Sequence, residues 1–246
     1  MLTSLEIKQF QNEGFLIFEE LIQGSKLDRY VDVFDRLVES SRSTPIGTPH
    51  WSFELNEDRE QNPDLLHKIQ GICVLEPKVL DLAKEPEILD RIEPLLGKNL
   101  DVFGTKFFPK LSGGGTSVFW HQDSFYFGTQ SDEIISCAIY LQDSDAENGC
   151  LRLIPKSHLN DEIAQHQSKD DSYGSWVEEI DESDVIDAAV PAGTVVFFSS
   201  NLLHGTYPNI SQRSRYSTAW HYIPGSLNLE HFPRGGYDDR HIVRGV

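Results

Sequence analysis

Apolar residues in the first hundred positions recur mainly at helical spacing. Residues 4–13 predict a short amphipathic helix that ends at Gly14, and the apolar run 15–18 then predicts a strand. Apolar side chains three and four positions apart predict two longer helices, over 25–41 and 78–96. The beginning of the chain is therefore expected to form a layer of helices.

The pattern changes at about residue 100 to short runs rich in β-branched and aromatic residues, which is typical of strands. The runs are 102–108, 117–123, 133–142, 150–155, 194–200 and 215–223. Asn148-Gly149 and Ala192-Gly193 supply turn residues between them. Strands that follow a helical layer predict a mainly β sandwich or barrel with flanking helices.

Strand alternation divides the run 133–142 into two faces. Ile135, Cys137, Ile139 and Leu141 form a uniformly apolar face, which is expected to pack on helices. Ser136, Ala138 and Tyr140 form a mixed face, which is typical of a ligand pocket.

The length of 246 residues and a hydrophobic content of 39% predict a single domain over residues 1–246. Within it we expect a mainly helical flank (1–99) and a β core (100–224). The polar, acidic stretch 159–184 is long for a connection inside a compact domain, which predicts a lid loop.

Charge and cysteine content narrow the possible partners. The 39 acidic and 21 basic side chains give a formal net charge of −18, which disfavours binding to nucleic acid. The sequence has no apolar run long enough to span a membrane and no apolar signal-peptide core near its start. Three cysteines without a CxxC pair suit a reducing compartment, so we expect a cytoplasmic protein. Its expected partner is a small-molecule substrate. The oligomeric state cannot be read from the sequence.

The triplet His121-Gln122-Asp123 is the first candidate for chemistry. Alternate residues of a strand share a face, so His121 and Asp123 can converge on one metal ion, with His204 supplied by a neighbouring strand. Two imidazoles and one carboxylate leave three coordination positions open, which is the facial triad of non-haem Fe(II) oxygenases. Apolar and aromatic residues surround the triplet, and a bound metal would offset the desolvation of the His–Asp pair.

Arg215 and Ser217 are the second candidate. An oxygenase of this type needs a cosubstrate that chelates iron at one end and carries a carboxylate at the other. The arginine offers a bidentate fork for that carboxylate, and the hydroxyl two residues on shares its strand face. Arg213 competes with Arg215 for this role.

Six segments of the chain resemble the phytanoyl-CoA dioxygenase family of 2-oxoglutarate oxygenases. They are LHKIQG, FGTKFFPKLSGGG, WHQD, ENGCLRLIPKSH, AGTVVFFSSNLLHGTYPN and RYS, in the family's order over residues 67–217. The resemblance implies a double-stranded β-helix (jelly-roll, cupin-like) core with helices packed on one sheet. It implies metal ligation by His121, Asp123 and His204, and a cosubstrate contact by Arg215 and Ser217. It also suggests that Lys68 and Gln122 line the pocket.

Three further residues are expected near the ligands. Tyr140 either donates a hydrogen bond to the cosubstrate or belongs to the core. Lys106 either contacts an anionic group of the substrate or extends its amine to the surface. Ser136, on the mixed face, is expected to contact the substrate.

These residues predict a dioxygenase that uses Fe(II), 2-oxoglutarate and O2 to hydroxylate an unactivated C–H bond of a small metabolite, with release of succinate and CO2. Asp123 occupies the position that halogenating relatives leave open, so halogenation is disfavoured. The chain is short for an acyl-CoA binder and lacks an evident basic patch, so phytanoyl-CoA itself is not expected. Desaturation, epimerisation or cyclisation with the same cofactors is the alternative. A non-catalytic metal-binding jelly roll or a zinc hydrolase is more remote.

Overall fold

A computed structural model of the chain describes residues 1–56, 58, 60–168 and 174–246. Within these ranges the helices are α1 (Ser4–Glu13), α2 (Gly24–Ser41), α3 (Ile72–Leu75), α4 (Pro77–Ala83), α5 (Pro86–Leu96) and α6 (Asp123–Phe127). The strands are β1 (Phe15–Phe18), β2 (Trp51–Leu55), β3 (Gln61–Gln70), β4 (Leu100–Phe108), β5 (Val118–His121), β6 (Ile135–Tyr140), β7 (Leu151–Leu153), β8 (Ile186–Ala188), β9 (Val195–Ser199), β10 (His204–Thr206), β11 (Ser217–Pro224) and β12 (Arg240–Arg244).

The strands form two antiparallel sheets. In the part of the chain that the structure describes, the larger sheet has eight strands, in the order β1-β9-β6-β11-β4-β3-β2, and β12 also pairs with β4. The smaller sheet has four strands, in the order β5-β10-β7-β8. Side chains of both sheets meet in one apolar cluster that includes Tyr140, Phe198, Leu151 and Leu153. The predicted jelly-roll core with flanking helices is confirmed.

The two faces of the larger sheet have different surroundings, as the alternation in 133–142 predicts. Ile135, Cys137, Ile139 and Leu141 are buried in the main core together with apolar residues of α2, α4 and α5. The opposite face, which we call the inner face, is turned toward the smaller sheet and carries Ser136, Ala138 and Tyr140. This arrangement leaves the inner face available for polar side chains, while the outer face provides the hydrophobic stabilisation.

Local sequence signals set the ends of the first helix, which has the predicted bounds. Thr3 and Glu6 form a reciprocal capping box at its start, and Gly14 ends it with a positive φ of 86°.

The prediction of one helix over 78–96 is wrong, because the helix is interrupted between α4 and α5. Pro86 is the first residue of α5 and cannot continue a preceding helix, since it lacks a backbone N–H.

Four strands were not anticipated: β2, β3, β8 and β12. β10 is the neighbouring strand expected to supply His204, although its bounds were not predicted. Strands β8 and β10 have only three residues each, too few to show alternation. β3 contains Pro63 and Asp64, which are unfavourable strand residues, and is held by pairing with β2 and β4. The flank 1–99 therefore adds three strands to the larger sheet besides its helices. The limits of the predicted flank and core stay a prediction.

The stretch 159–184 lies partly outside the described residues, which omit 169–173. Its described parts are held to each other by an isolated bridge between Gln167 and Trp176. Val177 donates a backbone hydrogen bond of 2.8 Å to the Trp120 carbonyl, next to the metal-ligand candidate His121. The stretch thus borders the candidate site, and its role as a lid stays a prediction.

Cys73, Cys137 and Cys150 are buried and form no disulfide. Among the described residues, no helix combines the length and the apolar composition needed to cross a bilayer.

We predict that Gly193→Ala lowers the free energy of unfolding by about 2–4 kcal/mol, because backbone strain is added to a steric clash. Gly193 has a φ of +84°, and a Cβ there would lie 2.0 Å from the Ile22 carbonyl oxygen. Urea denaturation would measure the loss. The matched control is Gly235→Ala, where φ is +75° and nothing lies within 4 Å, so only the strain of about 1 kcal/mol is expected. Equal losses in both variants would contradict the steric explanation.

Candidate active site

Two histidines are brought together by the pairing of β5 with β10. In this antiparallel pair His121 lies opposite His204, and their ring centroids are 4.1 Å apart. Nδ1 of His121 is 2.8 Å from the Phe119 carbonyl oxygen, and Nδ1 of His204 is 2.9 Å from that of Leu202. Because carbonyl oxygens only accept, these contacts assign the proton to Nδ1 and leave both Nε2 lone pairs free for a metal.

Asp123 completes the cluster from a different element than expected. Strand β5 ends at His121, and Asp123 is the first residue of α6, so the prediction of one strand over 117–123 is wrong. The chain turns here because Ser124 donates its backbone N–H to the Ser200 carbonyl, at 3.0 Å. The Asp123 carboxylate oxygens nevertheless lie 3.7 Å from Nε2 of His121 and 3.7 Å from Nε2 of His204. One ligand atom from each of the three residues lies within 4.8 Å of the others.

The charge states of these groups fit a divalent metal ion. Burial, and to a smaller extent His121, lowers the pKa of His204 to about 4, so this imidazole is neutral near pH 7. Burial acts to raise the pKa of the Asp123 carboxyl, but His204 and His221 help to hold it well below its usual range. Neutral imidazoles and an ionised carboxylate are the forms that bind metals, and this set of donors suits Fe(II).

A chain of hydrogen bonds reaches Asp123 from the inner face of the larger sheet. The Ser136 hydroxyl donates to Asp123 Oδ2 at 2.6 Å, and Nδ1 of His221 lies 3.0 Å from the same hydroxyl. Nζ of Lys106 lies 3.3 Å from Nε2 of His221. Each group can donate to the next, from Lys106 to the carboxylate, so the chain can fix the orientation of Asp123.

The structure thus connects Ser136 to a metal-ligand candidate, and its predicted contact with the substrate stays a prediction. The sequence alone leaves His221 open between the core and the pocket, and the structure places it in this hydrogen-bond chain. The available signal was its strand position, since it lies four residues after Ser217 on the alternating pattern.

Arg215 is a buried cation without an anionic partner among the described residues. It is 1% exposed, and it donates to Ser217 Oγ and, at 2.9 Å, to the Gly149 carbonyl. Its Nε has no hydrogen-bond partner in the described part of the chain, and its guanidinium carbon lies 5.5 Å from the centre of the Tyr140 ring. A buried guanidinium is costly without an anion, so this site suits a carboxylate. Arg213 no longer competes, because it is half-exposed and pairs with Asp145 at 2.7 Å.

Two other candidates occupy different surroundings. Lys68 lies on β3, where burial, and to a smaller extent Lys106, lowers the pKa of its amine to about 8. The Gln122 amide is already bonded to the backbone: it donates to the Asn201 carbonyl at 2.6 Å and accepts from Ala164 N–H at 2.7 Å. These contacts give Gln122 a positioning role, and its contact with the cosubstrate stays a prediction.

Three partly or largely exposed aromatic side chains lie on β5 and α6, the elements that carry His121 and Asp123. Phe119 precedes His121 by two residues on β5 and is 59% exposed. Tyr126 lies 5.9 Å from the His121 ring, and Phe125 stacks on His166 with 4.1 Å between ring centroids. We call Phe119, Phe125 and Tyr126 the aromatic rim.

The family model of phytanoyl-CoA dioxygenase (PhyH) matches residues 10–217. The chain belongs to this family. It is 22% identical to a probable alpha-ketoglutarate-dependent hypophosphite dioxygenase of Stutzerimonas stutzeri, over 83% of this chain and 72% of the relative. It is also 22% identical to the ectoine dioxygenase of Bordetella bronchiseptica, over 92% of this chain and 78% of the relative.

The fold is shared with solved structures. The epimerase SnoN, in complex with Fe3+, alpha-ketoglutarate and nogalamycin RO, aligns with a TM-score of 0.70 and 15% identity, over 90% of this chain and 83% of that one. The predicted family and enzyme class are confirmed: the protein is a 2-oxoglutarate-dependent non-haem iron dioxygenase. Its cofactors are Fe(II), 2-oxoglutarate as cosubstrate and O2.

We predict that Ser136→Ala weakens metal binding about tenfold, because the carboxylate of Asp123 loses the hydroxyl that orients it. Titration calorimetry with Ni(II) under non-turnover conditions would measure the affinity. Thr218→Val on β11 is the matched control, since it removes a buried hydroxyl that has no hydrogen-bond partner among the described residues. Wild-type affinity in both variants would show that Ser136 does not orient the ligand.

Proposed function

We propose that the protein hydroxylates an unactivated C–H bond of a small metabolite and releases succinate and CO2. The observation that carries this proposal is the combination of the His121, Asp123 and His204 cluster with the buried guanidinium of Arg215, which has no anionic partner among the described residues. A metal cluster alone would suit many functions. A second, separate site for a carboxylate is what a dicarboxylate cosubstrate requires.

The metal-ligand candidates and the residues around Arg215 would have separate roles. His121, Asp123 and His204 would hold Fe(II), which when bound supplies the chemistry of O2 activation and C–H cleavage. Arg215 and Ser217 would bind the distal carboxylate of 2-oxoglutarate, and the Tyr140 ring beside the guanidinium would border it. Lys68 is proposed as a further contact of the cosubstrate.

The surroundings of Arg215 favour a dry site. Tyr140, Phe198, Leu151 and Leu153 form a buried apolar cluster between the two sheets. Such walls exclude water and strengthen the interaction of the guanidinium with a carboxylate, since the local dielectric constant is low.

Oxidation without hydroxylation is the second candidate. SnoN, which shares the fold, is an epimerase, and the same cofactors can serve either outcome. The relatives are named for substrates as different as hypophosphite and ectoine, so the substrate of this chain is not inherited from them. The mass of the product distinguishes the outcomes, because hydroxylation adds one oxygen atom and epimerisation adds none.

Anaerobic titration with Fe(II) and 2-oxoglutarate tests the proposed site directly. We expect the visible charge-transfer absorption of the iron–2-oxoglutarate chelate in the wild type and its loss in His121→Ala, which removes one ligand. If iron binds to the wild type and no absorption develops, the proposed function is overturned and a non-catalytic metal-binding module becomes the better explanation.

We predict that Arg215→Gln raises the dissociation constant of 2-oxoglutarate about thirtyfold or more, since removing one partner of a buried charge pair costs about 2–5 kcal/mol. Titration of the charge-transfer absorption gives the constant, and the Fe(II) affinity of the variant should be unchanged. Arg213→Gln is the matched control, because this arginine is exposed and pairs with Asp145 outside the site. An unchanged 2-oxoglutarate affinity in Arg215→Gln would refute the assignment.

A further inference from the structure

Lys106 is a cation deep in the molecule whose charge has no direct partner. In the register of β3 with β4, Ile69 lies opposite Phe107, and both are in the main core. Lys68 and Lys106 therefore point to the opposite, inner face. Nζ of Lys106 contacts the neutral acceptor Nε2 of His221, at 3.3 Å. Among the described residues it forms no ion pair with a carboxylate within 4 Å.

The acidic residues nearest to Lys106 have other partners. Asp239 accepts hydrogen bonds from the backbone N–H and the hydroxyl of Thr105, both at 2.6 Å. Asp123 receives the Ser136 hydroxyl and is proposed as a metal ligand. Burial lowers the pKa of the Lys106 amine, and these two carboxylates oppose that effect only from a distance.

The alternative that Lys106 extends to the surface does not fit its position. β4 lies inside the sheet, with β11 on one side and β3 and β12 on the other. The amine of Lys106 ends at His221, which is 2% exposed. Lys106 is not fully enclosed, however, since the residue keeps part of its accessible surface. Because Lys106 shares the inner face with Ser136 and His221, its remaining donor hydrogens face the space between the sheets.

When Fe(II) and 2-oxoglutarate are bound, the formal charges of the site leave Lys106 without a matching negative charge. Fe(II) with the Asp123 carboxylate carries one net positive charge, and Arg215 carries a second. The two carboxylates of 2-oxoglutarate match these two charges. Lys68, proposed as a further contact of the cosubstrate, and Lys106 then exceed the negative charge that 2-oxoglutarate supplies. Burial lowers the pKa of both amines, as expected where an unpaired charge is costly. A further anion would offset this cost.

The aromatic rim indicates what the rest of such a ligand is. Phe119 is 59% exposed, Tyr126 is 43% exposed and Phe125 is 39% exposed. Large aromatic side chains that stay exposed beside a site are typical of a surface that a ligand covers. A ligand that passes from the rim to the inner face would place an apolar body on the aromatic rings.

We propose that the substrate is an organic acid with an apolar or aromatic body, and that its carboxylate binds Lys106 while its body contacts the aromatic rim. This inference rests on the proposed function, because the acid would be bound beside the loaded iron site. Lys106 thereby selects the substrate. The assignment is separate from that of Arg215, which binds the cosubstrate.

Matched acids and amides test this proposal on the protein loaded anaerobically with Fe(II) and 2-oxoglutarate. The probes are 3-phenylpropanoate and octanoate with their primary amides, and calorimetry measures their affinities while the charge-transfer absorption monitors the loaded site. We expect each acid to bind the wild type at least about tenfold more tightly than its amide. In Lys106→Met this advantage is lost and the affinity for the amide is unchanged. Lys106→Arg should retain it.

Two controls separate the contributions. Lys98→Met removes an exposed lysine outside the site and should keep the preference for acids. Phe119→Ala should weaken the binding of acid and amide alike, because it removes part of the apolar contact only.

The outcomes are distinct. The proposal is overturned if neither acid binds the wild type more tightly than its amide, or if Lys106→Met keeps the preference. A loss of the charge-transfer absorption in Lys106→Met with an unchanged preference would also overturn it, since Lys106 would then act only through His221. Absence of the absorption in the wild type refutes the proposed function, and this inference with it.

Discussion

The backbone pairing of β5 with β10 is the constraint on which the site depends. It places His121 opposite His204 and uses main-chain carbonyls, two residues before each histidine, to hold the imidazoles in one tautomer. A shift of the register by a single residue would turn one imidazole to the other face of the sheet. The metal-binding geometry is therefore a property of the hydrogen-bonded ladder as much as of the side chains.

The two faces of the larger sheet have different roles: the outer face stabilises the fold, and the inner face carries polar groups of the site. Its outer face is apolar and packs on α2, α4 and α5 in the main core, where burial of apolar surface stabilises the fold. Its inner face carries Lys106, Ser136 and His221, which would weaken an ordinary core. Charged groups can be kept on the inner face because the opposite face of the same strands holds the sheet in place.

The sequence predicts the parts that depend on local pattern. Runs of β-branched and aromatic residues predict β4, β6, β7, β9 and β11 to within a few residues, and Gly14 marks the end of α1. The break between α4 and α5 and the helical start at Asp123 were missed, since helical spacing and strand alternation continue across both boundaries. The contact of Ser136 with His221 follows from the register of β6 with β11, which joins residues 85 positions apart. The choice between Arg213 and Arg215 needed burial, which only the folded chain provides.

The hydrogen bonds of Gln122 limit how the stretch that borders the site could change during evolution. Its amide joins the turn between two metal-ligand candidates to Asn201, three residues before His204, and to Ala164 in the stretch that borders the site. Mutations that reshape this border for a new substrate are therefore not independent of the metal centre. Because the anchor is the backbone N–H of Ala164, it constrains the path of the main chain at this point and excludes proline there, while other side chains remain compatible with it.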